Sequence, residues 1–218
     1  MMTATIHSFL PHQMDAIVLA DGAFPTHPDL VALLLTHERV ICCDGAAEKL
    51  MQMGRIPSCV IGDLDSISAI TKAQLGQKLI HQSDQETNDL TKAVHYCVEN
   101  KLYNVVIMGA TGKREDHTLG NISLLALYHS LLHQVVMISD YGIFSAIDKT
   151  TVFSSYEHQQ VSLFSILPTC PISVAGLRYP IIQRPLEMWW QGTLNESLGT
   201  SFTVQLHDKG LCIVFRKW

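Results

Sequence analysis

Short, almost wholly apolar runs that alternate with segments of helical period most constrain the fold of this chain. The runs are too short and too uniformly apolar for amphipathic helices, so they predict buried strands. They cover residues 16–20, 39–43, 58–61, 78–81, 104–108 and 134–139. Between them, helices are predicted to begin at Pro28 and to span 46–53, 88–99 and 117–132. This alternation indicates βαβ units, and we expect a doubly wound α/β unit with a mainly parallel sheet and flanking helices.

From about Ile143 the pattern changes to short alternating strands without a convincing helix. These strands are predicted at 151–154, 160–166, 192–194, 202–206 and 211–215. Asp208, Lys209 and Gly210 predict a hairpin in which the glycine takes a positive φ. The excess of acidic residues is confined to residues 1–150. We therefore expect an α/β domain at 1–145 and a small antiparallel β-sandwich at 146–218.

Composition excludes several classes of protein. The chain has 218 residues, of which 47% are hydrophobic and 16% charged, so a globular core is expected rather than disorder. The net charge of −5 disfavours a nucleic-acid partner. No apolar run approaches the roughly 20 residues that span a bilayer, and no basic-then-apolar leader is visible, so we expect no membrane partner and a cytoplasmic location. The six cysteines form no CxxC pair and are expected to be buried and reduced.

Acidic residues follow three of the predicted strands, at Asp44, at Asp63 with Asp65, and at Asp140. The carboxyl ends of parallel strands share one edge of a sheet, so these carboxylates should meet there. In extended backbone Asp63 and Asp65 would point to the same side, roughly 6–7 Å apart, a spacing that suits Mg²⁺ carrying phosphate oxygens. The alternative is that 63–66 merely turns the chain and caps a helix beginning near Ser68.

Two further segments could complete a nucleotide site. Asp89, at the start of a predicted helix, could supply a third acid, although Thr87 or Asn88 as an N-cap would explain the segment equally well. Residues 109–117 read GATGKREDH between a strand and a helix, where Gly109 and Gly112 would let backbone N–H groups approach phosphate. The alternative for that loop is an ordinary strand-to-helix turn.

Together, the acids and the basic glycine loop point to a nucleoside triphosphate, Mg²⁺ and a phosphoryl-type transfer. The loop is not a Walker A motif, because only two residues separate its glycines and Lys-Arg follows them. The chain has neither the GxSxG elbow of a serine hydrolase nor a GxGxxG after its first strand, so hydrolase and dehydrogenase functions are disfavoured.

At these motifs the chain resembles the thiamine pyrophosphokinase family over nearly its whole length. The resemblance rests on Cys43 to Ala46, on Gly62-Asp63-Leu64-Asp65-Ser66, on 85–93, and on 109–121 reading GATGKREDHTLGN. It implies Mg²⁺-dependent transfer of diphosphate from ATP to the hydroxyethyl group of thiamine, giving thiamine diphosphate and AMP. It also implies that 1–145 is an ATP-binding catalytic domain, that 146–218 is a thiamine-binding domain and that the chain forms a homodimer. The active sites of this homodimer would lie between its subunits.

The resemblance assigns roles to individual residues. The residues expected to act in catalysis are Asp63, Asp65, Asp89, Arg114 and Asp116. Of these, Asp63, Asp65 and Asp89 would hold Mg²⁺. The residues expected to bind ATP or thiamine are Asp44, Gly45, Gln85, Asn88, Gly109, Thr111, Gly112, Lys113, Arg114 and Tyr179.

Some features depart from the family pattern and keep alternatives open. Tyr179 stands where relatives often place a Trp near thiamine, and Trp189 or Trp190 could stack on the acceptor instead. On a strand those two consecutive residues would point to opposite faces, so at most one could face the ligand. A related diphosphokinase that acts on another heterocyclic alcohol, such as a pterin, would keep the same ATP motifs. A non-catalytic nucleotide-binding module is disfavoured, because all four acids at 44, 63, 65 and 89 are present.

Overall fold

A parallel sheet forms the first half of the chain, as the sequence predicts. The structure, a computed structural model, describes residues 10–84 and 86–218. Within it the parallel strands are β1 (Ala16–Leu19), β2 (Val40–Cys43), β3 (Cys59–Gly62), β4 (Leu79–His81), β5 (Asn104–Met108) and β6 (Gln134–Ser139). Their order is β6-β5-β1-β2-β3-β4. Because β1 pairs with β2 on one side and with β5 on the other, the topological switch point lies beside β1.

Helices cover both faces of this sheet, which confirms the doubly wound α/β class. They are α1 (Pro28–Thr36), α2 (Ala46–Gln52), α3 (Ala69–Leu75), α4 (Asp89–Glu99) and α5 (Glu115–Leu131). Alternate residues of β1 face opposite sides: Val18 packs with α4 and α5, whereas Ile17 packs with α1, α2 and α3. No helix in the described part of the chain is long and apolar enough to span a membrane.

The second half continues the same sheet with antiparallel strands. Next to β6 come β7 (Gly142–Ile147), β13 (Cys212–Lys217), β9 (Gln160–Ser165) and β11 (Asn195–Glu196), which gives ten strands among the described residues. A separate sheet of β10 (Ile172–Ala175), β12 (Ser201–Leu206) and β8 (Thr151–Ser154) packs on them. Phe153 and Phe202 of that sheet meet Leu163 and Val214 of the large one in a shared core, as a β-sandwich requires.

Three strands of the sandwich differ from the sequence prediction. Strands β7 and β10 were not predicted. The strand predicted at 192–194 is wrong: a short 3₁₀ helix, Trp189–Gly192, occupies part of it, and strand pairing begins only at Asn195. The predicted domain boundary between 145 and 146 falls inside β7, and it stays a prediction.

The turn at 208–210 is not a hairpin, because β12 and β13 belong to different sheets. The φ angle of Gly210 is not positive, contrary to the prediction. A Cβ at this position would lie 2.5 Å from Cys170 Sγ, so the glycine is needed for a close approach rather than for a left-handed backbone. Cys170 and the other five cysteines are buried, as predicted.

Candidate active site

A cleft of about 450 Å³ opens at the carboxyl edge of the parallel sheet, over the switch point. The loops that follow β1, β2, β3 and β5 and the first turns of α4 and α5 form its walls. Acidic side chains lie at the ends of β2 and β3, and basic side chains come from the loop after β5. The cleft is therefore divided between one acidic wall and one basic wall.

Three carboxylates meet on the acidic wall. Asp44, Asp63 and Asp65 each offer an oxygen, and these oxygens lie within 4.8 Å of one another. Asp44 is 6% exposed, and its Oδ2 accepts a hydrogen bond from the Ser66 N–H at 3.2 Å. Its Oδ1 is buried and has no hydrogen-bond partner among the described residues. A buried carboxylate oxygen without a donor fits a hard cation such as Mg²⁺, which prefers oxygen ligands.

Electrostatics at Asp44 support the same fit. Burial raises the pKa of this carboxyl, and the hydrogen bonds from Ser66 oppose the rise only in part. The nearby charges of Asp89 and Asp63 raise the pKa further. A bound cation would offset both the burial and the repulsion among the carboxylates.

The backbone that presents Asp63 and Asp65 is not extended, contrary to the prediction. Leu64 has φ 65°, so the chain turns between the two acids. Asp63 Oδ1 accepts a hydrogen bond from the Asp65 N–H at 3.2 Å, which stabilises the turn. The helix cap is Ser68, whose side chain accepts from the Thr71 N–H. The turn predicted as the alternative is therefore real, but the two acids do not cap the helix.

Asp89 reaches the acidic wall because Gly62 lets α4 approach. A Cβ at Gly62 would lie 3.1 Å from Asp44 Cβ and 3.3 Å from Asp89 Oδ2, so a larger residue would require these neighbours to shift by a few tenths of an ångström. Asn88 is the N-cap of α4, as one interpretation predicted, and its Oδ1 accepts from the Thr91 N–H at 2.9 Å. Asp89 Oδ1 also pairs with Lys92 Nζ at 3.0 Å. Lys92 lines the cleft and was not predicted as a site residue.

The glycine loop packs directly on the loop that follows β1. Gly109 and Gly112 have φ 66° and 76°. A Cβ at Gly112 would lie 2.6 Å from Ala23 Cβ, and one at Gly22 would overlap the Gly109 carbonyl oxygen. The glycines are thus needed for two backbones to approach each other, in addition to any role toward an anion.

Two lysines share a carboxylate on the basic wall. Lys113 Nζ donates to the Asp21 carbonyl oxygen at 2.7 Å and lies 3.2 Å from its Oδ1. Lys49 Nζ donates to the same Oδ1 at 2.8 Å. The sequence analysis missed Asp21 and Lys49. Asp21 could have been found as an acid at the end of a fourth predicted strand, whereas nothing distinguishes Lys49 from an ordinary helix-surface lysine.

Arg114 and Asp116 form an exposed pair at the start of α5. Arg114 Nη2 lies 2.5 Å from Asp116 Oδ2. The guanidinium holds the pKa of the Asp116 carboxyl below its usual range. His117 also lines the cleft. An exposed ion pair of this kind is worth little in solvent, so the guanidinium can exchange Asp116 for another anion at small cost.

The structure brings most of the predicted residues together. The predicted residues that line the cleft are Asp44, Asp63, Asn88, Asp89, Gly112, Lys113 and Arg114. Asp65 and Gly45 adjoin it, through the carboxylate cluster and through the close approach of Gly45 to Asp21. Gly109, Thr111 and Asp116 do not line the cleft. Gly109 and Thr111 line a second pocket of about 280 Å³, and Asp116 pairs with Arg114.

The remaining predicted residues lie elsewhere. Asp140 is not part of the acidic cluster: it accepts hydrogen bonds from Thr26 and His27 and so anchors the loop before α1. Gln85 lies outside the described residues. Tyr179 is 59% exposed in the sandwich and does not line the cleft of its own chain.

Trp189 and Trp190 do not lie on a strand, contrary to the prediction, because both belong to the 3₁₀ helix. The two side chains nevertheless differ in exposure. Trp189 packs edge-on against Phe164 and donates to the Ser165 carbonyl oxygen, whereas Trp190 is exposed.

Comparison with known proteins matches both halves of the chain to one family. Residues 31–137 match the model of the thiamin pyrophosphokinase catalytic domain, and residues 142–215 match that of its substrate-binding domain. Thiamine pyrophosphokinase 2 of Oryza sativa is 30% identical over 184 residues, which cover 70% of this chain and 68% of that protein. The Bacillus subtilis enzyme is 31% identical over 112 residues, which cover 50% of this chain and 52% of that protein.

Solved structures show the same fold. The crystal structure of thiamine pyrophosphokinase from Bacillus subtilis superposes with a TM-score of 0.77 at 23% identity, covering 93% of this chain and 98% of that one. The enzyme from Candida albicans gives a TM-score of 0.75 at 22% identity, covering 93% and 90%. On the two domain matches and the rice relative, this chain belongs to the thiamine pyrophosphokinase family of enzymes.

Proposed function

We propose that the chain transfers the diphosphate group of ATP to the hydroxyethyl group of thiamine, with Mg²⁺ held at the acidic wall, and releases AMP. Thiamine diphosphokinase activity follows from family membership; the ATP donor and the metal are the parts proposed here. The observation that carries the metal proposal is the buried, unpartnered Oδ1 of Asp44 beside Asp63 and Asp65.

Different residues of the cleft would have different roles in the reaction. Asp63, Asp65 and Asp89, with Asp44 beside them, would hold Mg²⁺, which supplies neutralisation of the phosphate charge. Lys113 and Arg114 on the basic wall, with Lys92 beside Asp89, would bind phosphate oxygens. Because phosphoryl transfer demands in-line approach more than covalent chemistry, orienting the donor is the main contribution of these side chains. Asp89 or Asp116 could accept the proton of the thiamine hydroxyl.

The acceptor is assigned to the sandwich. Within the described part of the chain, the residues that line the cleft fall between Ala20 and Asn121, so no group from the sandwich reaches it in the same subunit. A homodimer would place the sandwich of one copy, with Tyr179, over the cleft of the other. This arrangement supports residues 1–145 as the ATP-binding domain and 146–218 as the thiamine-binding domain. The free, buried cysteines agree with a cytoplasmic location, where thiols stay reduced.

The decisive experiment follows the products of ATP turnover by chromatography. With thiamine and Mg²⁺, AMP and thiamine diphosphate should appear in equal amounts, and chelation of the metal should stop both. Appearance of ADP, or AMP release that does not depend on thiamine, would contradict the proposal. A panel that includes a pterin alcohol identifies the acceptor, since another diphosphokinase would form AMP with that alcohol and not with thiamine.

A further inference from the structure

A continuous chain of hydrogen bonds runs beneath the cleft from α5 through the start of α4 to the glycine loop. The Tyr128 hydroxyl lies 2.7 Å from Thr91 Oγ1, which donates to Asn88 Oδ1 at 2.8 Å. Asn88 Nδ2 donates to Asn121 Oδ1 at 3.1 Å. Asn121 Nδ2 donates to the Ala110 carbonyl oxygen at 2.8 Å. Four side chains thus connect the core of the domain to the backbone of the glycine loop.

The direction of every bond in this chain is determined. The Thr91 N–H can only donate, so the side-chain atom of Asn88 that faces it must be the oxygen. Asn88 therefore presents its NH₂ group to Asn121, and Asn121 must present its own NH₂ group to the Ala110 carbonyl. Thr91 has a single hydroxyl proton, which goes to Asn88, so Tyr128 donates to Thr91. All donors point toward the glycine loop.

The two ends of this chain differ in their surroundings. Tyr128 and Thr91 are buried, and burial raises the pKa of the tyrosine. Asn88 and Asn121 line the cleft. Connected hydrogen bonds anchored in the core hold the elements that they join in one arrangement. The elements joined here are the first turn of α4, which carries Asp89 and Lys92, and the loop that carries Lys113.

We propose that Asn121 is a positioning residue that sets the distance between the first turn of α4 and the glycine loop. It thereby sets the distance between the acidic and basic side chains that face the bound phosphates. The inference rests on the proposed function in that the ligand is Mg·ATP. Asn88 is suited to this link because its amide caps α4 with one atom and reaches Asn121 with the other. A shorter hydroxyl side chain could cap α4 but could not reach Asn121 as well.

The test replaces Asn121 with aspartate and measures Mg·ATP binding by calorimetry without thiamine. Asn121→Asp still accepts from Asn88 but places an oxygen against the Ala110 carbonyl, so the loop should move away. We expect the Kd for Mg·ATP to rise about tenfold, the size of effect seen when groups that orient ligands are removed, while the KM for thiamine stays within about twofold. The matched control is Asn100→Asp at the far end of α4, which should leave both constants unchanged.

A lower melting temperature of Asn121→Asp with an unchanged Kd would overturn the proposal, because it would show a structural role alone. An equal rise in both constants would also overturn it. If the parent binds Mg·ATP but forms no AMP with thiamine, the proposed function fails while this binding test still decides the role of Asn121.

A second pair of variants guards against misfolding of the aspartate variant. Asn88→Ser and Asn121→Ser each remove the bridge, and the serine at 88 keeps a capping oxygen for α4. If both act through that bridge, the double variant should raise the Kd no more than either single variant. Multiplicative effects on the Kd would overturn the proposal.

Discussion

Lys92 Nζ lies 3.0 Å from Asp89 Oδ1, one turn further along α4, and the lysine side chain is only 5% exposed. A buried ammonium is costly unless a carboxylate or phosphate faces it. This pair places the Lys92 ammonium among the acids of the cleft, where it can bind the phosphates of the donor.

Replacing Lys92 with methionine should therefore weaken ATP use more than it weakens the fold. Methionine keeps most of the side-chain volume, and Asp89 remains partly solvated. The KM for ATP should rise at least about tenfold, as expected when one partner of a shielded ion pair is removed. Steady-state AMP formation measures this rise, and Lys72→Met on α3 serves as the control. A KM within about twofold of the parent value would exclude Lys92 from phosphate binding.

Asp63→Asn tests the metal assignment. The change removes a charge but keeps the shape, so turnover at saturating Mg²⁺ should fall about a hundredfold or more while the melting temperature stays close to the parent value. Asp208→Asn, an exposed aspartate of the sandwich, is the charge-matched control. Turnover within about threefold of the parent would refute the assignment. A large loss of stability would instead indicate that Asp63 mainly holds the turn.

Arg114→Met tests the basic wall. The arginine is exposed and paired with Asp116, so its loss should hardly change folding. We expect the KM for ATP to rise about tenfold, because methionine cannot reproduce the two parallel bonds of a guanidinium to phosphate. Arg39→Met removes a comparable exposed pair at the amino edge of the sheet and should have no such effect. Parental kinetics would show that Arg114 is only a surface charge.

Tyr179→Ala tests the acceptor site. Loss of a ring face that attracts a cationic heterocycle should raise the KM for thiamine about tenfold or less and leave that for ATP nearly unchanged. Trp190→Ala, which removes the exposed member of the tryptophan pair, is the direct comparison. If only the tryptophan variant affects thiamine, Tyr179 is not the contact.

His158 provides a pH-dependent contribution to stability. Its Nδ1 lies 2.9 Å from Glu196 Oε1, and this hydrogen bond raises the pKa of the histidine. The contribution is complete below the unfolded-state pKa of about 6.5 and is lost as the pH rises through the higher folded-state pKa. The melting temperature of His158→Asn should therefore fall furthest below that of the parent near pH 5.5, and the gap should close near pH 9. A gap independent of pH would contradict this, and His95→Asn controls for losing an exposed histidine.

The parallel half of the fold was predictable because each strand there is a compact apolar run that ends at a polar turn. The bounds of β5 and β6 agree with the prediction, and Asp44 and Asp63 were found because strand ends fix where they lie. Strands β7 and β10 were not predicted because each mixes small or polar residues with apolar ones. Their burial depends on strands that are distant in sequence.

Two of the missed site residues share a physical reason. Lys92 and Asn121 lie on helices, where a polar residue at one position looks like any solvated surface residue. Only the packing of α4 against α5 and the glycine loop turns them inward. Asp140 was wrongly expected in the acidic cluster. Its place at a strand end was predicted correctly, but its carboxylate binds Thr26 and His27, which are far away in sequence.

The position of β13 between β7 and β9 has a consequence for how the chain acquires its shape. Both neighbours precede β13 along the chain. Neither can therefore complete its hydrogen bonding until the ribosome has made β13. Until then β7 extends the parallel sheet with one open edge, which is the kind of edge that recruits strands from other molecules.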